Sequence, residues 1–369
     1  MTAGRDATIV FNDVSKVFAD GTTAVGHLSL EVPGGEFTVF VGSSGSGKTT
    51  ALRMINRMVE PTSGTITVDG ANVAGVNPVR LRLGIGYVIQ NAGLMPHQRV
   101  IDNVATVPVL RGESRRAARK AAYEVLERVG LDPKLAGRYP AQLSGGEQQR
   151  VGVARALAAD PPILLMDEPF SAVDPVVRNE LQNEMLRLQS ELRKTIVFVT
   201  HDIDEALKLA DRVAVFRGGS LQQYDEPTEL LARPVNDFVS RFIGLGRGYR
   251  WLQLQDVAGL RLHHVESVAA EGVRDVRPEG WTLVVDAEGA PIGWIDADGV
   301  RRHRAGASLP DAMSGVGSLL RPDGNLSHAL DAALSSPSGV GLAVDDRGRV
   351  IGGVLASDVL AAADARRGV

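Results

Sequence analysis

The sequence predicts an α/β chain with a mixed or parallel sheet, followed by a smaller α+β region. Three observations predict it. The runs FTVFV (37–41), ILLMD (163–167) and TIVFVT (195–200) are continuously apolar, as strands buried on both faces of a parallel sheet are. A long polar helical stretch, VVRNELQNEMLRLQSELRK, separates the last two and completes a strand–helix–strand unit. Around residues 244–250 (GLGRGYR) glycine and arginine take over, that rhythm stops, and a short motif then occurs twice.

Along the chain, TIVF (8–11) and LSLEV (28–32) read as strands, and Gly34-Gly35 turns the second into FTVFV. After the segment GSSGSGKT (42–49), Leu52, Ile55 and Met58 have the spacing of one helix face, which PTSG (61–64) stops. TITVDG follows as strand and turn. Residues 114–129 form an amphipathic helix with Ala118, Ala121, Val125 and Val129 on one face, ended by Gly130 with Pro133 beyond. Its arginines read as a solvated face rather than a nucleic-acid patch. Past the boundary, TLVVDAEGAPIGWIDADGV (282–300) and GLAVDDRGRVIGGVLASDVL (341–360) share a plan: apolar strand, acidic turn with glycine, second strand, then glycine and aspartate.

The bulk numbers exclude several classes. A chain of 369 residues with 44% apolar and 23% charged residues is an ordinary globular composition. The net charge of −4 does not suit a protein that coats nucleic acid. There is no cysteine, so disulfides and thiolate metal sites are excluded and a reducing compartment is compatible. The start, MTAGRDATIVFNDVSK, has no signal pattern, and no run approaches the ~20 apolar residues of a membrane span. If the protein works at a membrane, another chain must hold it there.

Chemistry concentrates in a few strings. GSSGSGKT fits the phosphate-loop pattern G-x-x-x-x-G-K-[ST]. Gly42, Ser43, Ser44, Gly45, Ser46 and Gly47 let backbone N–H groups turn inward as an anion nest, and the following helix, entered through Thr49 and Thr50, points its positive end at the phosphates. Lys48 can reach the β- and γ-phosphates, and Thr49 can offer its hydroxyl to Mg²⁺. A flexible Gly/Ser linker is the alternative, and the strand before and helix after argue against it. Asp167, ending a buried strand, suits a water-mediated Mg²⁺ contact. Glu168, one residue on, points differently and can act as general base on the attacking water, against the alternative of a plain acidic turn.

LSGGEQQR (143–150) supplies a second anion device. Ser144 can cap the next helix with Glu147 as its capping-box partner, while Gly145 and Gly146 leave the N–H groups exposed. One nucleotide has one γ-phosphate, so the second device is best used on a nucleotide held by another copy of the chain. His201 stands where a strand exits toward the phosphates and can contact the γ-phosphate or the water. Gln90 can ligate Mg²⁺ or position water. His263-His264 lacks a third ligand at metal spacing.

In this order, GSSGSGKT, Gln90, LSGGEQQR, ILLMDEP, SAVD (171–174) and His201 resemble the ATP-binding subunit of ABC transporters, over residues 8 to about 245. The resemblance implies a P-loop, ABC-type nucleotide-binding domain (1–245, with a helical subdomain over about 91–158) working as a head-to-tail homodimer around two ATP molecules with Mg²⁺. It implies that Phe18 stacks on adenine, that Gln90 belongs to a loop sensing the membrane partner, Asp174 to the loop linking the two sites, and His201 to a switch. The strings MINRMVEPTSG, GYVIQNAGLMPH, RYPAQLSGG and FVTHDIDEALKLADRVAVF resemble subunits of importers for glycine betaine, carnitine, choline and proline. Those imply separate integral-membrane permease subunits, an extracytoplasmic substrate-binding protein, and a peripheral place on the cytoplasmic face of the inner (plasma) membrane. The tail, 246–369, resembles a pair of CBS modules with repeats at about 265–305 and 315–363. Asp358 matches the ribose-holding aspartate of such modules, but Leu355 replaces its hydroxyl partner, and in the first copy Asp296 and Gly299 stand at the two positions. The tail is therefore left open between a sensor and a packing module. The competing reading for the whole chain is an ABC-type ATPase acting on nucleic acid or ribosomes, which would need a basic face or arm insertions.

Overall fold

The computed structural model describes residues 7–90, 92–171, 173–277 and 279–367. It divides into two compact units, Met1–Gly244 and Leu245–Val369. The strands of the first unit are, in chain order, β1 (Ile9–Val17), β2 (Thr23–Val32), β3 (Phe37–Gly42), β4 (Ser63–Val68), β5 (Ala71–Asn72), β6 (Ile85–Val88), β7 (Ile163–Asp167), β8 (Thr195–Thr200), β9 (Arg212–Arg217) and β10 (Ser220–Asp225). Its helices are α1 (Lys48–Ile55), α2 (Pro78–Leu83), α3 (Val100–Leu110), α4 (Arg115–Arg128), α5 (Gly145–Leu157), α6 (Pro175–Leu192), α7 (Ile203–Leu209), α8 (Pro227–Ala232) and α9 (Asp237–Ile243).

Two sheets result. β2-β1-β4-β5 is antiparallel, and β10-β9-β3-β8-β7-β6 is parallel except for the β9–β10 hairpin. Every residue of β3, β7 and β8 is buried, which is why these runs read as unbroken apolar stretches. β2 instead alternates buried and exposed positions, as a strand with one wet face does. Phe40 packs between Phe11 of the antiparallel sheet, 6.5 Å between centroids, and Phe216 at 5.2 Å, joining both sheets in one core. Each such ring contributes on the order of 3 kcal/mol of burial. Between β6 and β7 the chain leaves the sheet, and α3, α4 and α5 pack against one another.

Two sequence expectations need correction. Met58 does not extend the α1 face. The helix ends at Ile55, Arg57 takes a left-handed φ of 54°, and Met58 is half exposed. Arg57 adopts that turn while donating to the carbonyls of Val73, Ala74 and Val76, a tertiary anchor that local periodicity does not show. On α4 the buried face is Ala118, Ala122, Val125 and Leu126, so Ala121 lies at its margin.

The second unit contains α10 (Arg247–Gln253), β11 (Ser267–Ala269), β12 (Thr282–Val285), β13 (Pro291–Ile295), α11 (Ala297–Arg304), α12 (Leu309–Ala312), β14 (Leu319–Leu320), α13 (Leu326–Ser335), β15 (Val340–Val344), β16 (Val350–Leu355) and α14 (Ala356–Arg367). It is α+β with two small mixed sheets. β11 runs parallel to β12 and β12 antiparallel to β13; β14, β15 and β16 repeat that pattern. The two hairpin turns are closed alike, by Asp286 N–H to Ala290 O and by Asp345 N–H to Arg349 O, both 2.9 Å. Where the second copy has α13, the first has only a 3₁₀ segment, Ala270–Asp275. Each hairpin also receives a bridge from the segment leading into the other copy. Ser314 pairs with Trp294, and His263 with Gly353. Side chains at Gly352 and Gly353 would collide with Leu262 and Val265, so the glycines admit that segment.

Candidate active site

β3 delivers the chain into the loop 43–47 and α1 carries it away. The geometry demands glycine at two points. Gly47 has φ 98°, and a Cβ there would lie 2.2 Å from Ala24 O; Gly42 has φ 156°, with Phe216 O at 2.3 Å. The loop is held from outside as well, since Gly219 N–H donates to Ser46 O and Gly26 N–H to Gly219 O. Phe18 is half exposed near the turn between β1 and β2, with Lys16 Nζ 5.3 Å from its ring centre.

Lys48 is buried and curls over the loop, donating to Gly42 O at 2.8 Å, Ser43 O at 2.9 Å and Ser46 Oγ at 3.3 Å. Burial pushes its ammonium below the ordinary lysine range, while Glu168 and Asp167 act against that shift. A phosphate group entering the nest would meet a cation already held at its floor. Thr49 donates to Asp167 Oδ1 at 2.7 Å. Asp167 Oδ2 accepts from Arg53 Nη2 at 3.2 Å and from the Tyr87 hydroxyl at 3.4 Å. One hydroxyl and one carboxylate beside a phosphate nest are the donor set by which Mg²⁺ is held together with a nucleotide's own phosphates.

Glu168 follows Asp167 with φ 45°, a left-handed value that costs about 1–3 kcal/mol for a residue with a side chain. Its N–H donates to Val199 O at 3.0 Å, so the strained turn is pinned to β8. This swings its carboxylate away from Asp167 and onto His201, whose Nδ1 lies 3.2 Å from Glu168 Oε2. Ser171 Oγ donates to Glu168 O at 3.0 Å, and Gln90 Nε2 reaches Ser171 Oγ at 3.5 Å. Gln90 thus meets Glu168 through Ser171. Asp174 caps α6, accepting from Val176 and Val177 N–H, both at 3.1 Å.

Ser144 lies elsewhere, exposed at the start of α5. Its hydroxyl and N–H both donate to Glu147 Oε2, at 2.8 and 2.7 Å, and its Oγ accepts the Glu147 N–H at 3.3 Å, a complete capping box. Gly145 faces open space, while a Cβ on Gly146 would lie 2.6 Å from Val177 Cγ1.

The family model for ABC transporters matches residues 25–171. Over 319 residues the chain is 43% identical to the glycine betaine/carnitine/choline transport ATP-binding protein OpuCA of Bacillus subtilis, covering 84% of this chain and 82% of that one. The chain belongs to the ATP-binding subunits of osmoprotectant ABC importers. The subunit is also 45% identical to the osmoprotectant import ATP-binding protein OsmV of Salmonella typhimurium, over 74% of each chain. Among solved structures, it resembles a dimeric ATP-binding cassette in a post-hydrolysis state bound to ADP and Pi. That match has a TM-score of 0.55 and 32% identity, covering 59% of the subunit and 98% of that chain.

Sequence reasoning missed several residues of the subunit's site. Arg53 and Tyr87 hold Asp167, Arg178 and Glu205 line the cavity beside His201, and Gln182 donates to Glu205. Arg178 is four residues after Asp174 and Glu205 four after His201, so one-turn helical spacing from each motif was the available signal. In the tail, His263 Nε2 lies 2.8 Å from Asp358 Oδ2, so the pair is an internal contact. Among the described residues no group of three or more His, Asp or Glu is placed to hold a metal ion.

Proposed function

We propose that two copies of this chain close head to tail on two ATP molecules and that the hydrolysis powers import of a quaternary-amine osmoprotectant through a separate permease. The observation that carries this is the pair of anion devices in one chain: the Lys48 loop, and the exposed Ser144–Gly146 helix start, whose capping box is complete and whose Gly145 borders open space. The dimeric cassettes that the chain resembles support a use for the second device on the partner's nucleotide. The roles of the similar subunits, in glycine betaine, carnitine and choline transport, support the cargo class.

In this reading the loop 42–47 cradles the phosphates and Phe18 stacks on adenine. Lys48 holds the β- and γ-oxygens, and Thr50 extends the first turn of the helix beneath them. Mg²⁺, held by Thr49, by Asp167 through water and by Gln90, would supply charge neutralisation between the phosphates. Glu168 takes a proton from the attacking water, and His201, on the other side of that carboxylate, steadies it and touches the γ-phosphate. Ser144, Gly145 and Gly146 of one chain complete the site of its mate, and Asp174 stands between the two.

No helix among the described residues is long and apolar enough to cross a membrane, so the reading requires permease subunits to hold the chain at the cytoplasmic face. A groove of about 430 Å³ along α3 and α4 is lined by Arg99, Arg115, Tyr139 and the ion pair of Arg119 with Asp102; its two further arginines leave it basic, which would suit an acidic permease segment. A substrate-binding protein on the outer side completes the system. The deciding experiment is Glu168→Gln. In MgATP this variant should form a stable dimer that light scattering detects, with hydrolysis reduced about 100-fold or more. A variant that stays monomeric at saturating MgATP would sink the composite site.

A further inference from the structure

A continuous set of contacts runs from the Ser144 helix start to the Glu168–His201 pair of the same chain. Gly146 seats the first turn of α5 against Val177, in the first turn of α6. Arg178, next to Val177, folds back along α6. Its Nη2 donates to Val173 O at 3.1 Å, and its Nη1 stands 4.0 Å from Asp202 Oδ2. Its Nε is buried without a hydrogen-bond partner. Asp202 directly follows His201 and caps α7 through the N–H groups of Asp204 and Glu205, at 2.9 and 3.4 Å. One turn beyond Arg178, Gln182 donates to buried Glu205 at 3.1 Å, one turn beyond His201. Arg178, Asp202 and Glu205 line the same small cavity as Glu168 and His201.

We infer that Arg178 is a positioning residue that couples the two ATP sites, tying the helix start that serves the partner's nucleotide to the His201–Glu168 pair that serves this chain's own. The inference rests on the composite-site reading above. Arginine suits the task because its planar fork bonds the Val173 carbonyl with one nitrogen while aiming another at the Asp202 carboxylate, which an ammonium cannot do in fixed geometry. When a γ-phosphate draws the Ser144 helix start inward, α5 presses on Val177. Val173, Asp174 and the start of α6 then shift together, and Arg178 passes the shift to Asp202 and thus to His201. Coupling of this kind is reciprocal, so each occupied site prepares the other.

The test uses the full chain, with ATPase rate against MgATP concentration, fluorescent-nucleotide binding, and melting temperature as a check on folding. In Arg178→Gln, affinity for the first nucleotide should move less than about twofold, while kcat falls about tenfold, the half-saturating MgATP concentration rises and the Hill coefficient drops toward 1. Arg178→Lys should not restore it. Asp202→Asn keeps a good helix cap and removes the charge. It should reproduce the loss, and the double variant should be no worse than either single one. Should Arg178→Gln not fold, Asp202→Asn carries the test alone. An unchanged Hill coefficient, an equal loss of first-nucleotide affinity and kcat, or additive effects would overturn the proposal. Failure of Glu168→Gln to dimerise removes the composite site itself. Dimerisation of that variant together with undiminished cooperativity in Arg178→Gln removes only the coupling role.

Discussion

Thr49 donates its hydroxyl to Asp167 at 2.7 Å, so the helix after the phosphate loop is tied to the end of β7 across 118 residues of sequence. The other carboxylate oxygen is held by Arg53 and Tyr87. Both oxygens are therefore oriented within the protein alone. Groups that orient a metal-facing carboxylate typically change metal affinity 10–100-fold when removed. Arg53→Gln combined with Tyr87→Phe should raise the Mg²⁺ concentration for half-maximal activity about tenfold. A Mg²⁺ titration at saturating ATP, paired with direct Mn²⁺ binding, checks this. Identical titrations for variant and parent would refute it.

Gly47→Ala should be among the most damaging single changes in the loop. It places a methyl 2.2 Å from Ala24 O at φ 98°. We expect a stability loss of about 2 kcal/mol or more and no measurable nucleotide binding. Gly45→Ala, with open space at φ 74°, should cost only about 1 kcal/mol. Denaturant melts of the two variants decide it, and equal costs would show that space is not what matters.

Glu205 gives a pH prediction. Burial raises its carboxyl above the usual glutamate range, opposed by Thr200, Gln182 and Arg178 and assisted by Asp202; Lys208 also feels its charge. A folded-state pKa above the unfolded one means the native state binds more protons. The associated stability is complete below the unfolded value and is lost as pH rises through the folded one. Glu205→Gln keeps an acceptor for Gln182 and removes the titration. Melting scans from about pH 4 to about pH 8 should show the variant gaining on the parent as pH rises. A constant offset would mean that Glu205 does not titrate in this window.

In the tail, Asp358 is engaged by His263 at 2.8 Å. We expect adenosine nucleotides to give no binding heat with the full chain beyond that of the Lys48 site. The control is a Lys48→Ala chain, which should give none at all. Saturable heat in that variant, abolished by Asp358→Ala, would place a nucleotide in the tail.

Much of the site was legible because its chemistry is local in sequence. GSSGSGKT and MDEP each carry their own strand-to-helix context, and LSGGE its own helix cap. The buried strands were legible because burial on both faces removes polar residues from β3, β7 and β8. What sequence could not show was long-range. Arg57 leaves the helical conformation while bonding carbonyls 16–19 residues away, and this ended the Met58 face. Arg53 on Asp167 and Arg178 beside Asp202 are pairs that exist only once strands and helices stack. His263, a candidate ligand by composition, found its partner 95 residues downstream.

The bridges that each tail hairpin receives from beyond its own copy carry a practical consequence. Neither half closes its own rim: Gly353 is sealed by His263, and Trp294 by Ser314. A tail cut between the copies would leave bare main-chain donors and acceptors on both fragments, an invitation to stick to strangers. The duplicated motif is thus inherited as an indivisible couple, and shortening this chain gracefully means removing both copies or neither.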